Sequence, residues 1–309
     1  MQRYIVRRLI QTVIVILLAS MVIFAGTRLT ADPMKLLLDE HATKEQEEIT
    51  RQRLGLDRPI WQQYLRFVVG MTRGDFGESW VYRRPAMKLV LERLPASLQL
   101  AAGAAVLSLV LAIPFGVLSG YARASGRWPL LDKLVVTFSL LGISAPTFWV
   151  AIFAILVFAV KLHWLPTSGR GTLAHAVMPV CILSFGSLAT MVRLARSGTL
   201  EVYHDDYVRT ARAKGLHERQ VLFRHALKNV MIPVITVSGM TLGGMLVYAT
   251  VIETIFAWPG MGRLLQDSML KLDYPVMVAY GMVVAVVFSI LNLLVDVSYV
   301  FFDPRITND

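Results

Sequence analysis

Long apolar stretches dominate this 309-residue sequence and limit what it can fold into. A helix rises 1.5 Å per residue, so about 20 apolar residues span a hydrocarbon core about 30 Å thick. Lipid offers no partner to an unpaired backbone amide, and the alternating pattern of barrel strands is absent, so each stretch is expected to be a helix. Six stretches qualify, the fourth only marginally: 9–29, 97–121, 134–160, 175–192, 231–252 and 276–300. We therefore predict an all-α polytopic membrane protein with six transmembrane helices.

The composition agrees with this class. Of all residues, 55% are hydrophobic and 17% are charged, whereas soluble domains carry about 25% charged residues. This balance argues against a soluble globular enzyme, and the long apolar runs argue against intrinsic disorder. Cys181 is the only cysteine and lies inside an apolar run. Neither an internal disulfide nor a cysteine-based metal cluster is therefore expected.

The positions of lysine and arginine predict the orientation. Basic residues concentrate before the first apolar stretch and in the loops around 122–133 and 193–228, while the short loops on the other side carry few. Positive charge near short loops marks the cytoplasmic side, which predicts that both termini are cytoplasmic. The first apolar stretch is too long for a signal peptide and is expected to be an uncleaved anchor. The net charge of +10 then reflects topology and does not indicate nucleic-acid binding.

This topology predicts three regions. Residues 1–29 form the anchor helix, 30–96 form a small helical extracytoplasmic domain, and 97–309 form a five-helix core with a cytoplasmic loop at about 201–229. In the second region, Thr43 and Gln46 suggest a capping box that starts a helix, Gly55 ends it, and a second helix follows Pro59. This region either covers the mouth of the membrane core or docks an external partner, and the two roles are compatible.

The cytoplasmic loop has a strong helical pattern. A short helix is expected from Asp205 to Lys214, with carboxylates at its positive end and Gly215 as its stop, and a second helix at about 217–229. A helix this short is unstable alone in water. It must dock either on the membrane bundle of its own chain or in a groove of a separate cytoplasmic protein. In the second case Tyr207, Arg209 and Arg212 would be the anchors.

The loop between the fifth and sixth apolar stretches carries a turn motif. Pro259-Gly260 predicts a type II turn, with a positive φ at the glycine. Phe256 and Trp258 are expected at the depth of the membrane interface. A short amphipathic helix should follow Gly262. The segment is interpreted either as a gate facing the passage or a partner, or as a structural plug.

Motifs of catalysis and cofactor binding are absent from the sequence. It has no phosphate-binding P-loop, no HExxH and no GxSxG, and its six histidines are scattered. We expect no catalytic residue, metal site or cofactor in this chain. Asp296 near the end of the sixth stretch is the clearest intramembrane acid, and it is expected to pair structurally with an arginine of an adjoining helix. Kinks are expected at four prolines: Pro114, Pro146, Pro179 and Pro233.

Several motifs together resemble one family. The stretch 206–216, DYVRTARAKGL, followed by 224–229, RHALKN, resembles the EAA loop of the inner-membrane permeases of bacterial ABC importers, in particular the dipeptide/oligopeptide/nickel branch. Arg209-Thr210-Ala211 stands where the general family has Glu-Ala-Ala, and Gly215 matches its glycine. Shorter similarities extend over the whole chain: 54–59 LGLDRP, 74–77 GDFG, 164–166 WLP, 256–262, 273–276 DYPV and 292–296 NLLVD.

The resemblance implies a role and partners. Such permeases pair with a similar second permease, two ATPase subunits that bind ATP and Mg attach on the cytoplasmic side, and a substrate-binding protein delivers cargo from outside. The resemblance places the chain in the bacterial inner membrane and implies uptake of short peptides, with nickel or a metal chelate as the alternative. An ion-coupled secondary transporter is a distant alternative, because mid-membrane carboxylates and inverted repeats are not seen. The residues implied in ATPase coupling are Asp206, Tyr207, Arg209, Thr210, Ala211, Arg212, Ala213 and Gly215.

Overall fold

The computed structural model describes residues 2–30, 44–53 and 57–302. Thr43 and Gly55, the predicted start and stop signals of the first extracytoplasmic helix, lie outside these ranges. The described residues form helices and turns, with one isolated antiparallel bridge between Glu78 and Pro85. The helices, in chain order, are α1 Gln2–Thr30, α2 Lys44–Arg53, α3 Ile60–Thr72, α4 Ala86–Ser125, α5 Pro129–Ser144, α6 Thr147–Ala154, α7 Leu173–Val202, α8 Asp206–Ala213, α9 Glu218–Gln220, α10 Leu227–Ile255, α11 Met261–Leu270 and α12 Tyr274–Phe302. Two π-helical segments, Ile155–Lys161 and Val221–Ala226, continue α6 and α9.

The long apolar helices make this a polytopic all-α membrane protein. Among the described residues, four helical stretches are long and apolar enough to cross a bilayer by length and composition, or five if the bent pair Pro129–Ser144 and Thr147–Lys161 is one span: Val6–Gly26, Ala86–Ser125, Leu173–Val202 and Tyr274–Leu294. In the fifth predicted stretch, the described apolar helix Gly243–Ile255 is shorter. Helix α4 has 40 residues, about 60 Å of helix, and thus exceeds the thickness of a bilayer.

The third predicted stretch is not one straight helix, which corrects the sequence prediction. Helix α5 ends at Ser144 and α6 starts at Thr147, with a bend of 107° between α5 and the α6 span. Pro146 lies at the break with an extended backbone, φ −60° and ψ 125°. A proline removes a backbone donor and disfavours the α region for the residue before it, which here is Ala145. The predicted kink at Pro146 is therefore a full break, whereas Pro114, Pro179 and Pro233 lie inside continuous helices.

Packing divides the chain into two compact units, residues 1–95 with 263–293, and residues 96–262 with 294–309. The three regions predicted from sequence follow the expected membrane topology instead, and they stay a prediction. In the first unit, α3 packs on α1 through aromatic rings. Tyr64 and Phe67 lie 5.4 and 5.7 Å from Phe24, between ring centroids, and the Tyr64 hydroxyl lies 3.0 Å from the Ser20 hydroxyl.

The second unit is built around α7, where small residues allow close helix packing. A Cβ on Gly116 or Gly120 of α4 would stand 2.5 Å from the Ala195 Cβ or 2.7 Å from the Thr199 Cβ, both on α7. Gly142 of α5 is equally close to Ala189. Small residues let helix backbones approach in membranes, where van der Waals packing and hydrogen bonds replace the hydrophobic effect as the driving force. Helix α7 is therefore fixed against α4 and α5 along much of its length.

Candidate functional site

The predicted cytoplasmic helix is present as α8, Asp206–Ala213. Asp205 takes the N-cap position with an extended backbone, and Asp206 lies in the first turn, where the helix dipole favours a carboxylate. Gly215 ends the segment at φ +79°, a backbone conformation that costs a residue with a side chain about 1–3 kcal/mol. Its N–H donates to the Arg212 carbonyl at 2.9 Å. The helix therefore starts and ends where the sequence predicts, although the Asp205 side chain makes no capping hydrogen bond.

Helix α8 has two unlike faces. Val208 and Ala211 are buried in a hydrophobic cluster together with residues of α4, α7 and α10. Asp206, Arg209 and Thr210 on the other side are exposed. The sequence left two docking alternatives open for this helix. The inner face of α8 docks on the helices of its own chain, which is one of the two. The outer face stays free to meet another protein.

Arg212 holds α8 to the segments on either side of it. Its guanidinium lies 4.0 Å above the ring of Tyr203 and donates to the Tyr203 carbonyl at 3.2 Å. The same guanidinium donates to the Glu218 carboxylate at 2.8 Å. Arginine can combine stacking and directed hydrogen bonds because its charge is spread over a plane. Arg212, predicted as an anchor toward a partner, thus makes intramolecular contacts at the end of α7 and the start of α9.

Tyr207 and Arg209 lie on the outer side of α8. The Asn229 amide donates to the Tyr207 hydroxyl at 2.9 Å. Partial burial raises the pKa of the Tyr207 phenol, which therefore stays a neutral hydroxyl at physiological pH. Arg209 lies 3.6 Å from the Asp206 carboxylate, and both side chains are largely in solvent. Such an exposed pair contributes little to stability, so the Arg209 charge remains available to a partner. Ala213 is also exposed.

The loop between α10 and α11 surrounds a buried carboxylate that the sequence interpretation did not single out. Glu253 is fully buried near the end of α10, and the Ser97 hydroxyl donates to it at 2.5 Å. The same hydroxyl accepts the Met261 N–H at 2.8 Å. Ser97 therefore ties the start of the predicted core, the end of α10 and the start of α11 together. The sequence did offer a signal for this residue. Glu253 directly follows the apolar stretch 231–252 and precedes the Pro-Gly pair.

The prediction of a type II turn at Pro259-Gly260 is wrong. Gly260 does not have a positive φ, and its N–H donates to the Trp258 carbonyl two residues back, at 2.8 Å, as in a γ-turn. The positive φ in this loop belongs to Ala257, at +48°. Glycine is needed at 260 for space, because a Cβ there would collide with the Glu253 carboxylate. Gly262 is similar, since its Cβ would meet Thr250.

Phe256 and Trp258 are both 1% exposed inside the second unit, so they pack against the protein itself. Their predicted depth at the membrane interface stays a prediction. The indole N–H of Trp258 donates to the Ala96 carbonyl at 3.0 Å. The guanidinium of Arg170 lies 5.6 Å from the Trp258 ring centroid, and Gly169 N–H donates to the Phe256 carbonyl at 2.8 Å. A tryptophan is buried when its N–H finds a partner inside the protein. The gate role of this loop stays a prediction.

Two further buried acids were also missed. Asp132 of α5 accepts two hydrogen bonds from the Arg196 guanidinium, at 2.6 and 3.0 Å. Asp273, in the first unit, accepts from Ser79 and from the Trp80 N–H. Asp296 lies within α12 at a position whose side chain is outside those described. Over the described residues, no group of three or more His, Cys, Asp or Glu side chains could hold a metal ion.

Two family descriptions cover most of the chain. The binding-protein-dependent transport system inner membrane component matches residues 112–308. The N-terminal membrane component of the same transport systems matches residues 1–101. The first match includes α8 and the loop between α10 and α11, so both candidate sites lie within the matched residues.

Full-length relatives agree with these matches. The chain is 38% identical to the glutathione transport system permease protein GsiC of Shigella flexneri serotype 5b, and 36% identical to the oligopeptide transport system permease protein AppB of Bacillus subtilis. Each comparison covers 99% of both chains. A solved structure of the MetNI methionine ABC transporter in inward-facing conformations has a similar fold, with a TM-score of 0.54 and 18% identity over 69% of this chain and 93% of that chain. The chain therefore belongs to the inner membrane components of binding-protein-dependent transport systems, the multi-pass permeases of ABC importers.

Proposed function

We propose that this chain is one permease subunit of an ATP-driven importer of short peptides. A similar second permease completes the passage, two ATPase subunits bind ATP and Mg on the cytoplasmic side, and a substrate-binding protein delivers cargo from the other side. The similarity to a glutathione permease and an oligopeptide permease supports peptides over nickel as cargo. Both termini of the chain are cytoplasmic in this proposal, which puts α8 on the side of the ATPase and the Glu253 loop on the side of the binding protein.

One observation carries the proposal, namely the division of α8 into a face that packs on its own chain and a face that is left open. Val208 and Ala211 join α8 to the hydrophobic cluster of the second unit. Asp206, Arg209 and Thr210 remain exposed for the ATPase. A helix attached in this way transfers a push on its outer face to the membrane helices beneath it, without folding or unfolding.

The Arg212 contacts fit the same role. A push on α8 reaches the end of α7 through Tyr203 and reaches the start of the next helix through Glu218. Helix α7 in turn packs closely on α4 and α5. Closure of the ATPase subunits would thus shift a packed group of membrane helices, which is the kind of small, discrete movement that alternating access requires.

Reconstitution tests this function. The chain is co-expressed with its second permease, ATPase and binding-protein subunits, and the purified complex is placed in liposomes. We expect ATP-dependent uptake of a labelled peptide such as tri-alanine or glutathione, and no uptake without the ATPase. Uptake of Ni²⁺ but not of peptides would assign the metal cargo instead. Uptake driven by a proton gradient in the absence of ATP would contradict the proposal.

A further inference from the structure

Helix α7 has one exposed side toward its C-terminal half, and that side carries polar or small residues only. Gly186, Thr190, Arg193, Ser197 and Glu201 are exposed and follow one another at intervals of three or four residues. Residues at this spacing lie on one face of a helix. These five residues, here named the polar stripe, extend over about 22 Å of helix. Exposed large hydrophobic residues occur in α7 only before this part, at Leu173 and Val177.

The other sides of α7 are covered by helices of the same unit. Ala195 and Thr199 face the glycines of α4, Ala189 faces Gly142 of α5, and Gly198 lies next to Val230 of α10. The polar stripe is thus the open side of a central helix and does not belong to a peripheral one.

Neighbouring helices expose a different kind of surface. Val106 and Val110 of α4 are more than half exposed, and so are Leu134 and Leu141 of α5. Large aliphatic side chains are suited to contact with lipid tails. The difference in composition indicates that the open sides of α4 and α5 face lipid and that the open side of α7 faces something polar.

Charges on the polar stripe strengthen this distinction. The sequence pattern assigned 193–228 to a cytoplasmic loop, but α7 continues as one candidate membrane span from Leu173 to Val202, so Arg193 and Glu201 belong to this helix. Ionisable residues in membrane helices face the bundle interior or a water-filled cavity and mark substrate pathways, because hydrocarbon solvates them poorly. Arg193 has no ion pair among the described side chains, whereas Arg196, one turn further along, is paired with Asp132. Glu201 lies about 12 Å from Arg193 along the helix axis. A short peptide carries the same two charges, a carboxylate and an ammonium group.

We propose that the polar stripe lines the water-filled passage for cargo, and that Arg193 attracts the carboxylate of the passing peptide. This inference rests on the proposed function and adds to it the residues of the passage. Thr190, Ser197 and Gly186 offer hydroxyl groups and backbone without bulk, so cargo of varied side chains can pass. Arg193 contributes the one fixed positive charge of the stripe, and Glu201 contributes a negative charge nearer the cytoplasmic end.

Thiol labelling of the assembled complex tests the placement. Cys181 is the only cysteine, so Cys181→Ser provides a background in which single cysteines can be placed. Thr190→Cys and Ser197→Cys probe the polar stripe, and Val110→Cys and Leu141→Cys are matched controls on the apolar sides. A charged methanethiosulfonate reagent reacts in water and not in lipid. We expect labelling of the two stripe positions, slowed by cargo or by ATP with vanadate, and no labelling of the controls.

Two results would overturn the placement. Stripe cysteines that stay unreactive in every state would mean that this side is sealed against the second permease or against lipid. Stripe cysteines that react at the same rate with and without cargo and nucleotide would mean that the water they meet is not that of the passage.

The role of Arg193 is tested by transport in the same liposomes. Arg193→Gln should lower uptake of tri-alanine about tenfold relative to uptake of tri-alanine amide, which lacks the carboxylate. Arg193→Lys should largely preserve the preference. The binding protein is the same in all assays, so a change in the ratio reports on the permease. Equal losses for both peptides would contradict the carboxylate role. Failure of the wild-type complex to import either peptide would instead refute the proposed peptide cargo, and the labelling result would stand by itself.

Discussion

Arg196 holds Asp132 through two parallel hydrogen bonds, from Nε at 2.6 Å and from a terminal nitrogen at 3.0 Å. The Ser119 hydroxyl donates a third hydrogen bond to the same carboxylate at 2.7 Å. Three helices, α4, α5 and α7, therefore meet at one largely buried ion pair. The planar guanidinium matches the carboxylate in both distance and direction, which makes such pairs the strongest of the hydrogen-bonded ion pairs.

Removing one partner of this pair should destabilise the protein. Asp132→Ala leaves the Arg196 guanidinium largely buried without its counter-charge, and a loss of about 3 kcal/mol in unfolding free energy is expected. Thermal unfolding in detergent measures the effect. Arg84→Ala is the control, because its ion pair with Glu92 is about half exposed and should be worth less than about 1 kcal/mol. Equal shifts for the two variants would contradict the assigned role.

A side chain at position 260 should destabilise the protein. Gly260→Ala places a methyl group against the Glu253 carboxylate, so we expect a loss of about 1–3 kcal/mol from overpacking. Gly244→Ala in α10 is the matched control, since its added Cβ meets only the Tyr248 ring at 3.6 Å, an ordinary contact. Thermal unfolding again provides the measurement, and a Gly260→Ala protein as stable as the Gly244→Ala protein would contradict the close approach.

The Ser97 hydroxyl should matter more than an ordinary buried hydroxyl. Ser97→Ala removes a donor to the buried Glu253 carboxylate and the acceptor for the Met261 N–H, which should cost about 2–3 kcal/mol. Ser108→Ala is the comparison, because the buried Ser108 hydroxyl donates only to the Ser184 carbonyl, at 3.2 Å. A melting temperature lowered more by Ser108→Ala than by Ser97→Ala would show that the Glu253 hydrogen bond is not the stronger one.

A side chain at position 215 should uncouple hydrolysis from transport. Gly215→Val forces a β-branched residue to φ +79°, so the turn after α8 must rearrange. Under the proposed function, the complex should still assemble and hydrolyse ATP, while peptide uptake per ATP falls at least tenfold. Gly126→Val, with φ +70° in a loop between α4 and α5, carries a similar strain away from α8. Normal uptake by the Gly215→Val complex would count against the proposal that α8 transmits the movement of the ATPase to the membrane helices.

Arg212 should act through geometry more than through charge. Arg212→Lys keeps the positive charge and loses the flat stack on Tyr203 and the directed hydrogen bonds to the Tyr203 carbonyl and the Glu218 carboxylate. We expect weaker coupling of ATP hydrolysis to uptake, of the same sign as in Gly215→Val but smaller. Arg209→Lys, at an exposed position of the same helix, should keep more of the coupling. Equal coupling in the Arg212→Lys protein and the wild type would show that the Arg212 contacts do not transmit the movement of α8.

Hydrophobic patterning was sufficient to predict four of the six membrane helices and α8, since periodic apolar residues and helix-end residues such as Gly215 act locally. The break at Pro146 was foreseen only as a kink, because a proline alone does not tell whether neighbouring contacts restore the helix. The turn at Gly260 was predicted wrongly for a related reason. Gly260 lies directly against the Glu253 carboxylate, and a tertiary contact of this kind leaves no periodic signal in the sequence. The pair of Asp132 and Arg196, 64 residues apart in sequence, was missed on the same grounds.

The two faces of α8 separate what the chain needs for folding from what it offers to another protein. Val208 and Ala211 belong to the hydrophobic cluster of the second unit and are constrained by it. Asp206, Arg209 and Thr210 are not so constrained. Under the proposed function, substitutions of a few outward side chains can therefore change which ATPase subunit binds, while the membrane core keeps its architecture. Differences on this face would then prevent related importers in one cell from binding each other's ATPase subunits.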